Sequence, residues 1–326
     1  MSRPLRSLLV TGGCGFIGSA FLRSLLARPD WDGQVVNLDL LTYAAQPDAL
    51  ADCADDPRYR FVQGDIADHP LALDLARTHA VDAVINFAAE THVDRSIVAS
   101  DVFMHSNVLG VHALLEVCRA TGAHFHQVST DEVYGSVPGH HRSTEDDVLQ
   151  PSSPYAASKA AAEHLVGAWR RTYGVSVTTS RGSNTYGPWQ LPEKLIPLMI
   201  RRALAGEPLP VYGDGLNVRD WLHVDDHADA VWRIAQDAPA GTAWNVGGGN
   251  ERTNLDVIGE LLDAIARQTD RDRGALERLV THVEDRLGHD RRYALDCGRI
   301  ARTLGWRPEV FFPAGLEQTV AWTISR

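Results

Sequence analysis

The sequence predicts an α/β fold, a doubly wound parallel sheet with a smaller C-terminal lobe interleaved with it. Short apolar runs alternate with segments of helical periodicity through the first 180 residues, which is typical of parallel βαβ units. Several of these runs end in an acidic or hydroxyl residue, such as Asp39, Asp65 and Thr130. Polar residues at these positions indicate a binding site, because ligands of such sheets lie beyond the carboxyl ends of the strands.

Each predicted strand is a short, mainly apolar run, and each predicted helix carries apolar residues at intervals of three and four. The predicted strands are Ser7–Thr11, Gln34–Leu38, Arg60–Gln63, Ala83–Phe87, His124–Ser129 and Val175–Ser180. The predicted helices are Phe16–Leu26, Leu71–Ala80, Asn107–Ala120 and Ser153–Tyr173.

The pattern becomes irregular after about residue 181, where prolines interrupt it repeatedly. The elements expected there are strands at Leu209–Tyr212 and Ala243–Val246 and helices at Lys194–Ala205, Asp225–Gln236 and Asn254–Gln268. We therefore expect a first domain of residues 1–180 with a returning segment of residues 216–245. Residues 181–326 are expected to form mainly the second lobe.

The composition argues against several classes of protein. The chain has 326 residues, of which 44% are hydrophobic and 22% charged, and its net charge is −11. This acidity argues against nucleic acid or an anionic membrane as a partner, and no apolar run is long enough to span a bilayer. The four cysteines show no metal spacing. We expect a cytoplasmic protein that has reduced thiols, no signal peptide and no bound metal.

A glycine-rich turn after the first strand predicts a dinucleotide site. Gly12, Gly15 and Gly18 have the spacing that lets the backbone approach a pyrophosphate at a helix N-terminus. Asp39 ends the second strand, where a carboxylate binds ribose hydroxyls and repels a 2′-phosphate, which favours NAD over NADP. Asp65 has two interpretations, a partner for the adenine amine or the N-cap of the next helix. We therefore expect a Rossmann-like sheet.

Two further segments predict acid–base chemistry. Tyr155 and Lys159 are four residues apart, which places them on one face of a helix. A lysine ammonium lowers the pKa of a neighbouring phenol. Thr130, Asp131 and Glu132 follow a predicted strand and add a hydroxyl and two carboxylates. One site would then hold a base for a hydroxyl, an acid and a second base, so the sequence favours an elimination over simple hydride transfer.

Charged residues of the second lobe are candidates for binding a diphosphate. Any one of them is most simply a surface charge, but several that converge would hold a nucleotide diphosphate. These residues are Glu193, Lys194, Arg219, Arg286 and Arg292. The histidines that show no metal spacing, and that we interpret as structural, are His92, His223, His227 and His289.

The motifs together resemble the extended short-chain dehydrogenase/reductase superfamily and, within it, the dTDP-glucose 4,6-dehydratases. The resemblance runs nearly end to end. It rests on Thr11-Gly-Gly-Cys-Gly-Phe-Ile-Gly18, Phe87-Ala-Ala-Glu-Thr-His-Val-Asp-Arg-Ser96, Ser129-Thr-Asp-Glu-Val-Tyr-Gly135, Tyr155-Ala-Ala-Ser-Lys159, Pro192-Glu-Lys-Leu-Ile-Pro197, Val218-Arg-Asp-Trp-Leu-His223 and Gly288-His-Asp-Arg-Arg-Tyr293. The Asp131-Glu132 pair is the specific element, because related 4-epimerases and decarboxylases usually lack it.

The resemblance implies a mechanism in which NAD acts as a bound catalyst. It implies that Tyr155 takes the proton of the sugar's C4 hydroxyl, held by Thr130, while C4 is oxidised. Glu132 then removes the C5 proton, and Asp131 protonates the departing C6 hydroxyl. Hydride returns to C6, and the product is a 4-keto-6-deoxy sugar.

The resemblance also implies binding residues. For NAD they are Gly12, Gly15, Phe16, Ile17, Gly18, Asp39, Thr42, Asp65, Ile66, Ala88, Ala89, Tyr155 and Lys159. For the substrate, expected to be dTDP-glucose, they are Glu90, His92, Asn184, Glu193, Lys194, Arg219, Asn254, Arg286 and Tyr293.

The chain departs from the family pattern at Gly182, Thr185 and Leu287, which leaves a dehydratase for another NDP-hexose open. Two other functions also stay open, an NDP-sugar 4-epimerase and a non-enzymatic NAD-binding regulator. By analogy with the family we expect a homodimer, formed through the helices Asn107–Ala120 and Ser153–Tyr173.

Overall fold

The computed structural model describes residues 2–326. Its strands, in chain order, are β1 (Ser7–Thr11), β2 (Gln34–Asp39), β3 (Tyr59–Gln63), β4 (Ala83–Asn86), β5 (His124–Thr130), β6 (Val177–Gly182), β7 (Asn184–Tyr186), β8 (Leu209–Tyr212), β9 (Val218–His223), β10 (Thr242–Val246), β11 (Glu251–Thr253) and β12 (Val280–Val283). Its helices are α1 (Phe16–Ala27), α2 (His69–Thr78), α3 (Val93–Val98), α4 (Asp101–Met104), α5 (Val111–Thr121), α6 (Pro154–Tyr173), α7 (Leu195–Ala205), α8 (Val224–Asp237), α9 (Asn254–Gln268), α10 (Arg273–Glu277), α11 (Gly298–Thr303) and α12 (Phe312–Ile324).

Seven strands form a parallel sheet in the order β10-β6-β5-β4-β1-β2-β3. The order reverses between β4 and β1, so the chain winds outward in both directions from the centre of the sheet. Thr11, at the end of β1, pairs with Leu38 on one side and Asn86 on the other. The carboxyl ends of the strands therefore meet at one edge, which is where a doubly wound sheet binds its ligands. The predicted fold class is confirmed.

Helices cover both faces of this sheet. On one face α1 and α8 share an apolar cluster that includes Phe21 and Val231. On the other face α2, α5 and α6 share a cluster that includes Leu114 and Val166. Strands β1 and β4, near the centre of the sheet, are mainly apolar and buried along their whole length, as in other parallel sheets, whereas the edge strand β3 is largely exposed.

The second lobe has a core of its own. Helices α7, α9 and α12 pack Ile196, Leu261 and Leu316 together, beside a three-stranded sheet β11-β9-β7 and the pair β12-β8. Strand β10 leaves this half of the sequence and joins the large sheet beside β6. The division of the chain at residue 180 stays a prediction.

Several elements were not predicted, among them strand β9 and helix α12. Strand β9 is largely buried. Its apolar residues are interrupted by Arg219, Asp220 and His223, so the sequence pattern does not indicate a strand there. The predicted helix Asn107–Ala120 begins earlier, as α4, and passes through a π-helical turn at His105–Gly110 before α5. Asn107 explains this turn, because its amide bonds the backbone N–H and C=O of Glu90 at 2.9 and 3.0 Å.

Within residues 2–326, no helix is long and apolar enough to cross a membrane.

Candidate active site

The glycine-rich turn forms a cradle that only glycine permits. Gly12 has a φ of +69°, and a Cβ there would lie 2.5 Å from the backbone nitrogen of Ala88. A Cβ on Gly18 would collide with the carbonyl oxygen of Gly12. Helix α1 begins directly after Gly15, so its first N–H groups remain available to a phosphate.

Asp39 lies beside this turn at the end of β2. It is buried, and its two carboxylate oxygens accept hydrogen bonds from the backbone N–H groups of Cys14 and Leu41, both at 2.8 Å. Burial raises the pKa of Asp39, and these two bonds lower it in part. A carboxylate has about four acceptor positions, so Asp39 can still accept ribose hydroxyls.

A first cavity lies along the ends of β1 to β4. It contains the residues predicted for the adenosine half of a dinucleotide, namely Gly12, Gly15, Asp39, Thr42, Asp65, Ile66, Ala88 and Ala89. Asp65 is not the N-cap of α2, which is Asp68, so that interpretation is wrong. Asp65 instead accepts from the N–H of Ala67 at 2.8 Å and pairs with His105 at 2.8 Å.

A central cavity adjoins the first and brings the predicted acid–base residues together. Its walls include Phe16, Ile17, Gly18, Thr130, Asp131, Glu132, Tyr155 and Lys159. The acidic residues lie in a 3-10 turn, Asp131–Tyr134, that follows β5, while Tyr155 and Lys159 come from α6. The two segments meet because β5 ends, and α6 begins, at this edge of the sheet.

Asp131 and Glu132 have different surroundings. Asp131 is buried; its Oδ1 accepts from the hydroxyl of Thr130 at 3.3 Å, and its Oδ2 has no partner within residues 2–326. Burial, and then the charge of Glu132, raises the pKa of Asp131 well above its usual range. Burial also raises the pKa of Glu132, but Arg286, Arg219 and Lys194 oppose that rise. The protonated form is therefore favoured more strongly at Asp131 than at Glu132.

Tyr155 and Lys159 are fixed by hydrogen bonds on α6. The N–H of Tyr155 donates to Ser96 at 3.2 Å, and the ammonium of Lys159 donates to the carbonyl of Val128 at 2.7 Å. Burial lowers the pKa of Lys159 to about 8. The pKa of Tyr155 is raised by burial and by the charge of Glu132, so the predicted lowering is wrong for this structure.

An outer cavity opens between the first domain and the second lobe. It shares Glu132, Asn184 and Lys194 with the central cavity. Its walls contain His92, Asn184, Glu193, Lys194, Arg219, Asn254, Arg286 and Tyr293, which are all the predicted substrate residues except Glu90. Glu90 lies in the first cavity. The converging Lys194, Arg219 and Arg286 give this cavity the positive charge that a diphosphate requires.

Hydrogen bonds and ring contacts hold the basic residues of the outer cavity. Arg219 lies over the ring of Tyr293 at 4.3 Å and donates to the carbonyl of Asp290 at 2.9 Å. The hydroxyl of Tyr293 donates to the carboxylate of Asp290 at 2.6 Å. The sequence analysis did not identify Asp290, although it lies within the motif Gly288–Tyr293.

Other residues that line the cavities were missed or judged structural. They are Ser183, Gln190 and His227 in the central cavity and Tyr212, Trp221 and His289 in the outer one. The rarity of lysine is a further sequence signal for the position of the site. The chain contains only two lysines, Lys159 and Lys194, and both line the central cavity.

The fold and the three cavities define a dinucleotide-dependent enzyme with an acid–base site and an adjoining anion site. A family model described as GDP-mannose 4,6 dehydratase matches residues 9–319, and the chain belongs to that family. The dTDP-glucose 4,6-dehydratase of Neisseria gonorrhoeae is 47% identical over 331 residues, which cover 97% of this chain and 95% of that one.

Two solved structures are also similar to this chain over nearly its whole length. DesIV, a dTDP-glucose 4,6-dehydratase from Streptomyces venezuelae crystallised with NAD and a thymidine nucleotide, has a TM-score of 0.91 and 47% identity, covering 98% of this chain and 97% of that one. A UDP-glucose 4-epimerase from Thermus thermophilus, in complex with NAD, has a TM-score of 0.87 and 30% identity, covering 98% of this chain and 99% of that one.

Proposed function

We propose that the protein is an NAD-dependent hydro-lyase that converts dTDP-glucose into the 4-keto-6-deoxy sugar. The observation that carries this proposal is the position of Asp131 and Glu132, in one cavity with Tyr155 and Lys159. An oxidation alone needs no such pair of carboxyls, whereas loss of water needs an acid and a base. Relatives that carry the name dTDP-glucose 4,6-dehydratase are up to 48% identical to the chain.

The glycine turn and Asp39 fit NAD. The turn leaves room for a pyrophosphate at the N-terminus of α1, and Asp39 offers acceptors for an unsubstituted ribose. NAD held by this turn and Asp39 would supply the site with a hydride acceptor for C4 of the sugar and, once reduced, a hydride donor for C6. In the central cavity, the positive charges of Lys159 and of the oxidised cofactor favour the phenolate of Tyr155 and so offset part of the rise in its pKa.

The acid–base steps are assigned to three side chains. Tyr155 accepts the proton of the C4 hydroxyl, which Thr130 orients, as C4 becomes a ketone. The ketone acidifies the C5 proton, and Glu132 accepts it; after hydride has been added at C6, Glu132 returns a proton that has exchanged with solvent to C5. Asp131 gives its proton to the C6 hydroxyl, so that water leaves as the C5–C6 double bond forms.

The outer cavity is assigned to the nucleotide diphosphate. Lys194, Arg219 and Arg286 are the cations that would pair with the diphosphate oxygens. Asn184 lines both the outer cavity and the central cavity, where the sugar would lie, and Glu193 lines the outer cavity. Tyr212 and Asn254 line the outer cavity but not the central one, and we assign them to the base.

Incubation of the purified protein with dTDP-glucose tests the proposed function. We expect a product that has lost one water by mass spectrometry, without any added reductant and without accumulation of NADH. An epimer of unchanged mass would favour the 4-epimerase, the second candidate, which the fold shared with the Thermus epimerase supports. Conversion of another NDP-hexose at a much higher kcat/KM would change the substrate and keep the reaction.

The protein is also proposed to form a homodimer. Val102 and Leu109, along α4 and the π-helical turn, are more than half exposed. On α6, Ala157 and His164 are exposed as well. An isologous pairing of these two helices would bury this apolar face. A single species of monomer mass in sedimentation at micromolar concentration would contradict the proposal. Cytoplasmic localisation stays a prediction, and the four free cysteines agree with it.

A further inference from the structure

A buried ion pair lies directly behind the predicted acid–base residues. Glu163 on α6 and Arg181 on β6 are joined by bonds of 2.7 and 3.0 Å, and their side chains are 6% and 8% exposed. Burial lowers the pKa of Arg181, but the Glu163 carboxylate more than offsets this, so the pKa ends above its ordinary value. The ion pair therefore favours the charged form of Arg181.

The ion pair joins the two segments that carry the acid–base residues. Glu163 also accepts from the hydroxyl of Ser129 at 2.6 Å, and Ser129 immediately precedes Thr130. Arg181 donates to the hydroxyl of Tyr134 at 2.6 Å, and Tyr134 ends the turn that contains Asp131. The strand end, the 3-10 turn and α6 are thus held by one network.

The network is anchored in the sheet as well. The hydroxyl of Tyr134 donates to the side chain of Asn245 on β10 at 2.7 Å. A third donor group of Arg181 reaches the carbonyl of Glu145 at 3.1 Å. Buried charges of this kind are costly unless every bond is made, and here the bonds of both partners are made. Such a network restricts α6 to one position relative to β5 and β6.

Glu163 is one helical turn from Lys159, so the two side chains are neighbours on α6. Burial lowers the pKa of Lys159 to about 8, and the charge of Glu163 opposes that fall. The other groups near Lys159 are Tyr155 on the same helix, Arg181 on β6 behind Glu163, and the carbonyl of Val128 on β5. Among these groups Glu163 supplies the negative charge that favours the ammonium.

We propose that Glu163, held by Arg181 and Ser129, is a positioning residue that keeps Lys159 protonated and in place beside Tyr155. This inference rests on the proposed function, in which the ammonium of Lys159 favours the phenolate of Tyr155. Glu163 touches neither substrate nor cofactor in this account. It acts through the charge of Lys159.

The test is an NMR titration of Lys159 in protein labelled with ¹³C at the lysine ε carbons. Because the chain contains only Lys159 and Lys194, the spectrum has two lysine signals, which Lys194→Arg assigns. Lys194 is an internal reference: it faces Glu132 and Glu193, not Glu163. Glu260→Gln, which removes a carboxylate paired with Arg252 in the second lobe, is the matched control.

The inference predicts opposite changes in two variants. Glu163→Gln should lower the pKa of Lys159 by about one pH unit or more, since it removes an attractive charge and leaves Arg181 unpaired. Arg181→Gln should raise that pKa, because Glu163 is then no longer neutralised. The pKa of Lys194 should not change in either variant. The double variant keeps the test possible if a single variant does not fold, and its Lys159 pKa should fall less than that of Glu163→Gln.

Turnover supplies the second readout. In Glu163→Gln the high-pH limb of the pH–rate profile should move down by the same amount as the pKa of Lys159. Unchanged Lys159 titration, or a shift of the same sign in both single variants, would overturn the inference and leave a structural role only. Failure of the wild-type protein to dehydrate dTDP-glucose would instead overturn the proposed function, because the titration needs neither substrate nor NAD.

Discussion

Thr130 donates a hydrogen bond to one oxygen of Asp131, at 3.3 Å, while the other oxygen of Asp131 has no partner in the described residues 2–326. One side of the carboxyl is therefore held, and the other is free to carry a proton. Glu132, the adjacent residue, faces three cations instead. The two neighbouring carboxyls thus have different surroundings, as the proposed acid and base require.

Asp131→Asn should slow the loss of water by about a hundred- to ten-thousand-fold, the usual cost of removing a general acid. C4 oxidation and exchange of the C5 proton with solvent should continue, because Tyr155 and Glu132 remain. A substrate with fluoride at C6 is the control, since fluoride leaves with little help from an acid. Normal turnover of dTDP-glucose by the variant would place the acid elsewhere.

Glu132→Gln should block the step before elimination. Without the carboxylate the C5 proton has no base, so NMR in deuterated water should show no deuterium at C5 of the recovered sugar. A single-turnover experiment should still show reduction of NAD. C5 exchange at the wild-type rate would mean that another group removes this proton.

Asp39→Ala should weaken NAD binding by about tenfold or more, the typical loss for hydrogen bonds to a charged group. The preference over NADP should also decrease, because the carboxylate that repels a 2′-phosphate is gone. Calorimetric titration with each nucleotide measures both effects. Asp48→Ala, an exposed acid in the following turn, should change neither, and an unaltered preference in Asp39→Ala would remove Asp39 from this role.

Buried histidines should make the fold sensitive to acid. Burial lowers the pKa of His124 to about 3, that of His227 to about 4, and that of His126 well below 6.5. The unfolded chain then binds more protons, so stability is complete above pH 6.5 and is lost as the pH falls toward the folded values. At pH about 5.5 each of these buried histidines should lower the free energy of unfolding by about 1.4 kcal/mol.

Urea unfolding at neutral pH and near pH 5.5 measures this loss. His126→Gln should remove about one histidine's share of the pH dependence, whatever it does to stability at neutral pH. Equal pH dependence in the wild type and in His126→Gln would contradict the account.

Gly182→Ala should destabilise the protein by about 1–3 kcal/mol through overpacking. A Cβ on Gly182 would lie 2.8 Å from Nε2 of His227, whose ring is held by Thr185 at 2.8 Å. The two departures from the family pattern, at residues 182 and 185, thus belong to one arrangement around His227. Gly259→Ala in α9, where a Cβ meets nothing within 4 Å, should be neutral or stabilising by about 0.5–1 kcal/mol.

The sequence predicted the large sheet because apolar strands such as β1 and β4 alternate with helices and because several strands end in motifs. Strand β1 and helix α9 have the predicted bounds, Ser7–Thr11 and Asn254–Gln268. In the second lobe, elements with polar side chains, such as β9, have no regular spacing of apolar residues from which they could be predicted. The proximity of Tyr155 and Lys159 could be predicted from their spacing, because both lie on one helix.

Other parts of the site depend on tertiary contacts that no spacing reveals. Glu163 and Arg181 meet only because α6 packs on β6, and Asp290 meets Tyr293 within a loop. The raised pKa of Tyr155 also comes from burial and from Glu132, which lies on a different segment. Residues of these kinds were missed or misjudged for that reason.

The central claim is that one site oxidises C4, removes the C5 proton and expels the C6 hydroxyl. The most direct measurement is mass spectrometry and proton NMR of the product formed from dTDP-glucose in deuterated water. The account predicts a sugar that has lost one water, carries deuterium at C5 and has a C6 methyl group whose added hydrogen comes from C4. A product of unchanged mass, or a methyl group that has taken its added hydrogen from solvent, would contradict it.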